Sequence, residues 1–209
     1  MRHDPLNRSC VTLALMMTAH ISPLVLQPSF RWAGNDGNWS TFQVNVGTPP
    51  QSFDVLPSTC NGEIWVPLPD SCPSTYSDCA SSRGVLSDSS PTSQGFQADQ
   101  STTWAQTGIY GLLLEERLFH SDDSGLYGLD SASVGSENDW FLREQTVAGI
   151  ATPNFWLGSL GLSVQPSGFS VQNEPHLPML SALKVKNMTA SESYGLSVGA
   201  AYRELLLQP

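Results

Sequence analysis

Positive charge is what this chain has least of. Nine lysines and arginines stand against nineteen aspartates and glutamates in 209 residues, a formal net charge of -10 at pH 7. A surface of that sign repels phosphate backbones and anionic lipid headgroups, so nucleic acid is not an expected partner. Charge of either sign is scarce, at 13% of residues, which argues against a coiled coil and against a disordered acidic chain. The four histidines, His3, His20, His120 and His176, are scattered and make no H-x-x-x-H or H-E-x-x-H pattern, so surface positions are expected for them. Gly-rich phosphate loops and internal repeats are missing as well. No stretch reaches the roughly 18–20 consecutive apolar residues of a membrane-crossing helix. Neither metal nor cofactor nor membrane span is expected.

What the chain does have is a large apolar share broken into short runs. Hydrophobic residues make up 40%, with 17 glycines and 15 prolines, and Ser and Thr fill the gaps. That composition favours a single all-β domain with many turns, long enough to bury a core. Near the start, Arg2 and Arg8 precede the apolar run Cys10 to Ala19, about the length of a signal-peptide core. Ala19 and Ser22 are the candidate cleavage positions, and the alternative is a hydrophobic first strand of the mature fold.

Ser40 to Pro67 is the most informative stretch. Phe42, Val44 and Val46 alternate with polar residues, as a half-buried strand requires. Gly47-Thr48-Pro49-Pro50 turns the chain, Phe53 and Val55 resume the alternation, and Pro57 to Gly62 breaks it before Ile64-Trp65-Val66. Trp104 to Glu116, Leu126 to Val134 and Leu142 to Ile150 are further strand candidates. Phe155 to Leu162 carries glycines inside an apolar run, which predicts close backbone approach and not a plain strand. Pro178 to Lys186 has Met179, Leu180 and Leu183 at helical spacing, with Pro178 suited to a first helical position. Pro28 to Trp39 reads as an irregular lead-in anchored by Trp32 and Trp39, and Ser81 to Thr103 as polar loop.

Four cysteines, Cys10, Cys60, Cys72 and Cys79, remain to be placed. Cys10 lies in the apolar N-terminal run. Cys72 and Cys79 bracket a short Ser/Thr/Pro-rich loop, and in an oxidising compartment a disulfide closing it is the natural reading. Two free thiols, or half of a metal site whose other half is missing, are the alternatives. Cys60 is then an odd thiol. Asn38-Trp-Ser40, Asn187-Met-Thr189 and, in the presumed signal, Asn7-Arg-Ser9 fit the glycosylation sequon. Gly195-Leu-Ser197-Val-Gly199 matches a nucleophile elbow, but no histidine follows Ser197 and an all-β chain lacks the required sheet. A strand end is the reading for that segment.

The frame VGTPPQ, strand, loop, strand and Trp65-Val66-Pro67 resembles the first active-site hairpin of pepsin-like aspartic proteases. Gly125 to Gly135 is similar to the returning arm of that family's flap hairpin, and Gln145 to Ala151 to the strand after it. Gly158 to Leu162 is similar to the segment that passes behind the active-site loop. The whole pattern is similar to a divergent group of fungal pepsin-like proteins with a W-x-G-N-D-G-x-W-S lead-in and L-P-S-T in place of the first motif. The resemblance implies an all-β, acid-protease N-terminal lobe: a β-barrel with a flap hairpin and one short helix. It covers roughly Trp39 to Arg203, and the lobe is assigned to residues 28–203, with residues 1–27 as signal peptide and lead-in and residues 204–209 as a tail. It also agrees with a small Cys72–Cys79 disulfide loop and implies a secreted or cell-surface protein.

Departures from that family decide the expected chemistry. Its enzymes hydrolyse amides with two carboxylates that share a proton across a water, one from each of two lobes. Ser58-Thr59-Cys60 stands where the family has Asp-Thr-Gly, and no second such motif follows. Counting back from Asp130 puts Leu118 at the flap tyrosine position, beside Phe119, with His120 the nearest polar ring. Asp54 lies about 13 Å along the strand from Ser58, too far to substitute, and is read as a solvated strand residue. The resemblance thus implies a catalytically inactive lobe with half of a peptide cleft, made by the Ser58 loop, Trp65, Leu118, Phe119 and His120. A peptide or protein ligand, a partner lobe and self-association are the partners it allows. Its enzymatic alternative is an aspartic endopeptidase acting with a missing or partner second lobe.

Overall fold

A computed structural model describes residues 25–33, 38–72, 78–86, 94–112, 124–135, 140–152, 156–165, 170–171 and 174–196. Their strands are β1 (Trp32–Ala33), β2 (Trp39–Ser40), β3 (Phe42–Val46), β4 (Gln51–Ser58), β5 (Ile64–Pro67), β6 (Ala105–Gly111), β7 (Ser124–Val134), β8 (Trp140–Ile150), β9 (Gly158–Gly161), β10 (Ser170–Val171) and β11 (Glu174–Pro175). Two helices accompany them, the single turn α1 (Cys79–Ser82) and α2 (Met179–Val185). The fold is all-β, as expected.

Seven strands form one sheet in the order β3-β4-β9-β5-β8-β7-β6, and β3 also pairs with β7. That extra pairing closes six strands into a barrel and leaves β6 attached outside, on β7. The β3–β4 hairpin sets Phe42 against Val55 and Val44 against Phe53. Their side chains, with Val46, Val66, Leu142 and Val147, fill the main core. Helix α2 packs on β8 and buries Met179, Leu180 and Leu183. Pro178 sits at the cap, one position before the first helical residue where it was expected.

The turn after β3 is tied down by a buried carboxylate. Asp130 Oδ1 accepts from Thr103 Oγ1 at 2.5 Å, from Ser101 Oγ at 3.1 Å and from the Ser131 amide at 2.8 Å. The Thr48 amide donates to Ser101 Oγ at 3.1 Å, and the Gly47 amide to the Ser131 carbonyl at 2.9 Å. Gly47 has φ +90°, and a Cβ there would lie 2.9 Å from Ser101 Oγ. Glycine is therefore required at this turn.

Several sequence expectations need correcting. Asp54 is not solvated: it is buried, and Arg31 clamps it with Nε–Oδ2 at 2.5 Å and Nη2–Oδ1 at 2.9 Å. The lead-in is more regular than expected, because β1 and β2 pair as a short ribbon, Trp32 opposite Ser40. Ser81 to Thr103 is more than polar loop where it is described. Val85 bridges to Phe53, and Phe96 is buried edge-on between Phe53 and Trp104. Arg83, 1% exposed, donates to the Thr152 carbonyl at 3.1 Å and lies 5.7 Å from the Trp156 ring centre. Burial pulls its guanidinium below the ordinary arginine value. His176, expected at the surface, is half-buried with its Nε2 enclosed. His3, His20 and His120 lie outside the described residues, as do Cys10 and Ser197.

Close backbone approach around β9 is as expected, although the segment is also a regular strand. A Cβ on Gly158 would fall 2.1 Å from the Trp65 carbonyl oxygen, and one on Gly161 2.5 Å from the Glu63 amide nitrogen. By contrast, a Cβ on Gly195 would meet nothing within 4 Å. Gly158→Ala should therefore destabilise the protein by at least about 3 kcal/mol, since backbone cannot step aside as a side chain can. Gly195→Ala should leave the thermal midpoint nearly unchanged. Equal midpoints for the two variants would contradict this packing.

Candidate functional site

Strand β4 runs directly into the loop at Ser58, and β5 leaves it at Ile64. Strand β9 lies between them, parallel to β4 with Ser58 opposite Gly161, and antiparallel to β5 with Trp65 opposite Ser159. Three further backbone bonds hold the loop to this strand and its continuation. The Leu162 amide donates to the Ser58 carbonyl at 2.7 Å, Gly161 to Glu63 at 2.9 Å, and Ser163 to Asn61 at 2.9 Å. These main-chain bonds hold the loop to β9 and do not depend on the identity of residue 58.

Within the loop, the Cys60 amide donates to Ser58 Oγ at 3.3 Å, a short turn of the kind serine favours. Ser58 is half-buried, while Thr59 and Cys60 are exposed, and Cys60 is a free thiol. Asn61 turns inward and donates from Nδ2 to Ser159 Oγ at 3.2 Å. A serine hydroxyl has no charge to offer at acidic or neutral pH, so residue 58 can donate or accept a hydrogen bond but cannot share a proton as a carboxylate does.

Glu63 is the carboxylate that sequence reasoning passed over. It is buried, and its Oε2 accepts the Trp65 indole N–H at 3.1 Å. The signal was present in the E-x-W spacing, which places both side chains on one face of an extended chain. Trp65 is 3% exposed and packs with Leu112, Tyr127, Ala148 and Ile150 in a second, smaller core. Its place is under the β6–β7 hairpin.

That hairpin is the expected flap in outline. β6 and β7 are antiparallel, from Ala105 opposite Leu129 to Gly111 opposite Ser124, with a bulge between Gln106 and Gly108. Residues 113–123, which connect the two strands and include Leu118, Phe119 and His120, lie outside the described residues. The structure therefore brings Ser58, Thr59, Cys60 and Trp65 onto one strand–loop–strand unit and does not place the other three cleft candidates.

Comparison with known proteins adds one relationship. No family model matches the chain. The chain is similar to procardosin-A of Cynara cardunculus. They are 26% identical over 136 residues, 63% of this chain and 24% of procardosin-A, a pepsin-like aspartic protease. The matched region is thus about a quarter of that relative's length. The closed barrel with its short helix is consistent with an all-β acid-protease lobe.

The remaining site residues fall as follows. Cys72 and Cys79 form a disulfide with a Cα–Cα distance of 5.6 Å. Asn38 and Asn187 are both exposed, as an acceptor asparagine must be. Among the described residues, no helix is long and apolar enough to cross a membrane and no cluster of metal-binding side chains occurs.

Thiol chemistry checks this geometry directly. Iodoacetamide added to the native, unreduced chain should label Cys60 and leave Cys72 and Cys79 untouched until a reductant is added, as read by peptide mass mapping. Labelling of Cys79 before reduction, or protection of Cys60, would contradict the arrangement.

Proposed function

We propose that this chain is a pepsin-like aspartic-protease lobe that binds peptide and does not hydrolyse it. One observation carries the reading: a serine occupies the position on the β4–β9–β5 loop where the family's chemistry needs a carboxylate, while the loop's main-chain frame is kept. Two carboxylates are required because one takes a proton from the attacking water while the other protonates the amide carbonyl. Ser58 replaces one of them and Cys60 replaces the glycine beside it. Glu63 does not compensate, since its carboxylate is buried and bonded to Trp65.

The half-cleft consists of Ser58, Thr59 and Cys60, with Trp65 beneath and Leu118, Phe119 and His120 on the flap. An extended peptide is the ligand that suits it, held by main-chain bonds along the loop and flap. Residues 28–203 form the lobe, preceded by a signal peptide and lead-in in residues 1–27 and followed by a tail in residues 204–209. Secretion fits the Cys72–Cys79 disulfide and the acidic composition. Glycosylation at Asn38 and Asn187 fits their exposure.

A second reading is an aspartic endopeptidase completed by another lobe. Its support is the similarity to procardosin-A, a pepsin-like aspartic protease. Assembly would supply the second carboxylate and still leave Ser58 at the first position, so turnover would be severely reduced.

Secreted chain and a Ser58→Asp variant should be assayed together on a denatured protein between pH 3 and 6. The unmodified chain should give no turnover above background. Turnover that a transition-state analogue of aspartic proteases blocks would refute the non-catalytic reading. Size exclusion of the same preparation shows whether a partner lobe is present.

A further inference from the structure

The β6–β7 hairpin has a small core of its own, and a buried hydrogen bond orients the ring at its centre. Leu112, which follows β6, and Tyr127 on β7 belong to the cluster built on Trp65, with Ala148 and Ile150 of β8. Both arms of the hairpin thus rest on one indole. The cluster is tight, since a Cβ on Gly125 would lie 3.1 Å from Leu112 Cδ2 and 3.3 Å from Tyr127 Cε2. Tyr127 in turn meets the Tyr110 ring of β6 edge-on, with centroids 5.7 Å apart. The Trp65 indole N–H donates to Glu63 Oε2 at 3.1 Å, and both residues are buried. A buried N–H is costly without an acceptor, so this bond favours one orientation of the ring.

Glu63 is itself held from the other side. Its carbonyl accepts the Gly161 amide at 2.9 Å, and a Cβ on Gly161 would fall 2.5 Å from its amide nitrogen. The same strand, β9, holds the Ser58 loop through its main chain. We propose that Glu63 is a positioning residue. It carries the fixed geometry of the loop through the Trp65 indole to both arms of the hairpin, and so sets the hairpin's place against the loop. Its consequence for ligand binding rests on the peptide-binding reading, because a peptide held by loop and hairpin depends on how they are set relative to each other.

Hydrogen–deuterium exchange of the full chain tests the tie without a ligand. In Glu63→Met, amides of residues 105–111 and 125–129 should exchange at least about tenfold faster, while those of the β3–β4 hairpin keep their rates. Glu63→Gln, which can still accept the indole N–H, should restore slow exchange. Trp65→Phe removes the donor and keeps a ring, so it should speed the same amides, and Glu63→Met added to it should speed them no further. Faster exchange in both hairpins alike would assign Glu63 to overall stability and overturn the proposal. Unchanged β6–β7 exchange, no rescue by Glu63→Gln, or additive effects in the double variant would overturn it equally. Retention of a mixed peptide library at acidic pH should fall at least about threefold in Glu63→Met and recover in Glu63→Gln. Retention that Glu63→Met leaves unchanged would overturn its role in the cleft. If the unmodified chain retains no peptide, the peptide-binding reading fails, and the exchange rates still decide whether Glu63 positions the hairpin.

Discussion

Everything around the candidate site depends on how closely β9 approaches the two strands beside it. Gly158 lies so near Trp65, and Gly161 so near Glu63, that any side chain would collide with main chain. This contact lets one four-residue strand bond to β4 on one edge and to β5 on the other. Without it the barrel does not close between β4 and β5, and the Ser58 loop has nothing to hold its backbone. The constraint is steric and main-chain in origin. It is therefore indifferent to whether residue 58 carries a carboxylate or a hydroxyl.

That indifference means that the frame does not depend on the chemistry of residue 58. VGTPPQ needs its glycine because Gly47 turns at positive φ against Ser101, over a buried Asp130. Trp65-Val66-Pro67 is required by the cores on both faces of β5. None of these demands comes from hydrolysis. A chain that lost the Asp and the Gly of the loop together could keep every contact that makes the fold.

Much of the barrel was legible in the sequence, because its signals are local. Alternation at Phe42, Val44 and Val46, the turn at Gly47, and the helical spacing of Met179, Leu180 and Leu183 each report on a few neighbouring residues. What was misread involves partners distant in sequence. Asp54 looks solvated until Arg31, 23 residues away, folds over it. Phe96 looks like one apolar residue in a polar loop until Phe53 and Trp104 close around it. Arg83 gives no sign of burial, since its carbonyl partner at Thr152 lies 69 residues on. At the site, the hydroxyl of Ser58 and the thiol of Cys60 could be read directly. The E-x-W spacing puts Glu63 and Trp65 on one face, but the burial of Glu63 could not be read, because an exposed and a buried carboxylate look alike in sequence.

The central claim is that the retained frame binds an extended peptide and leaves it intact. A mixture of peptides incubated with the immobilised chain at acidic pH, then washed, eluted and weighed by mass spectrometry, reads retention and cleavage together. The account predicts that a subset of peptides is retained at full length and that no cleaved products accumulate. Cleaved fragments would contradict it, and so would the absence of any retained peptide.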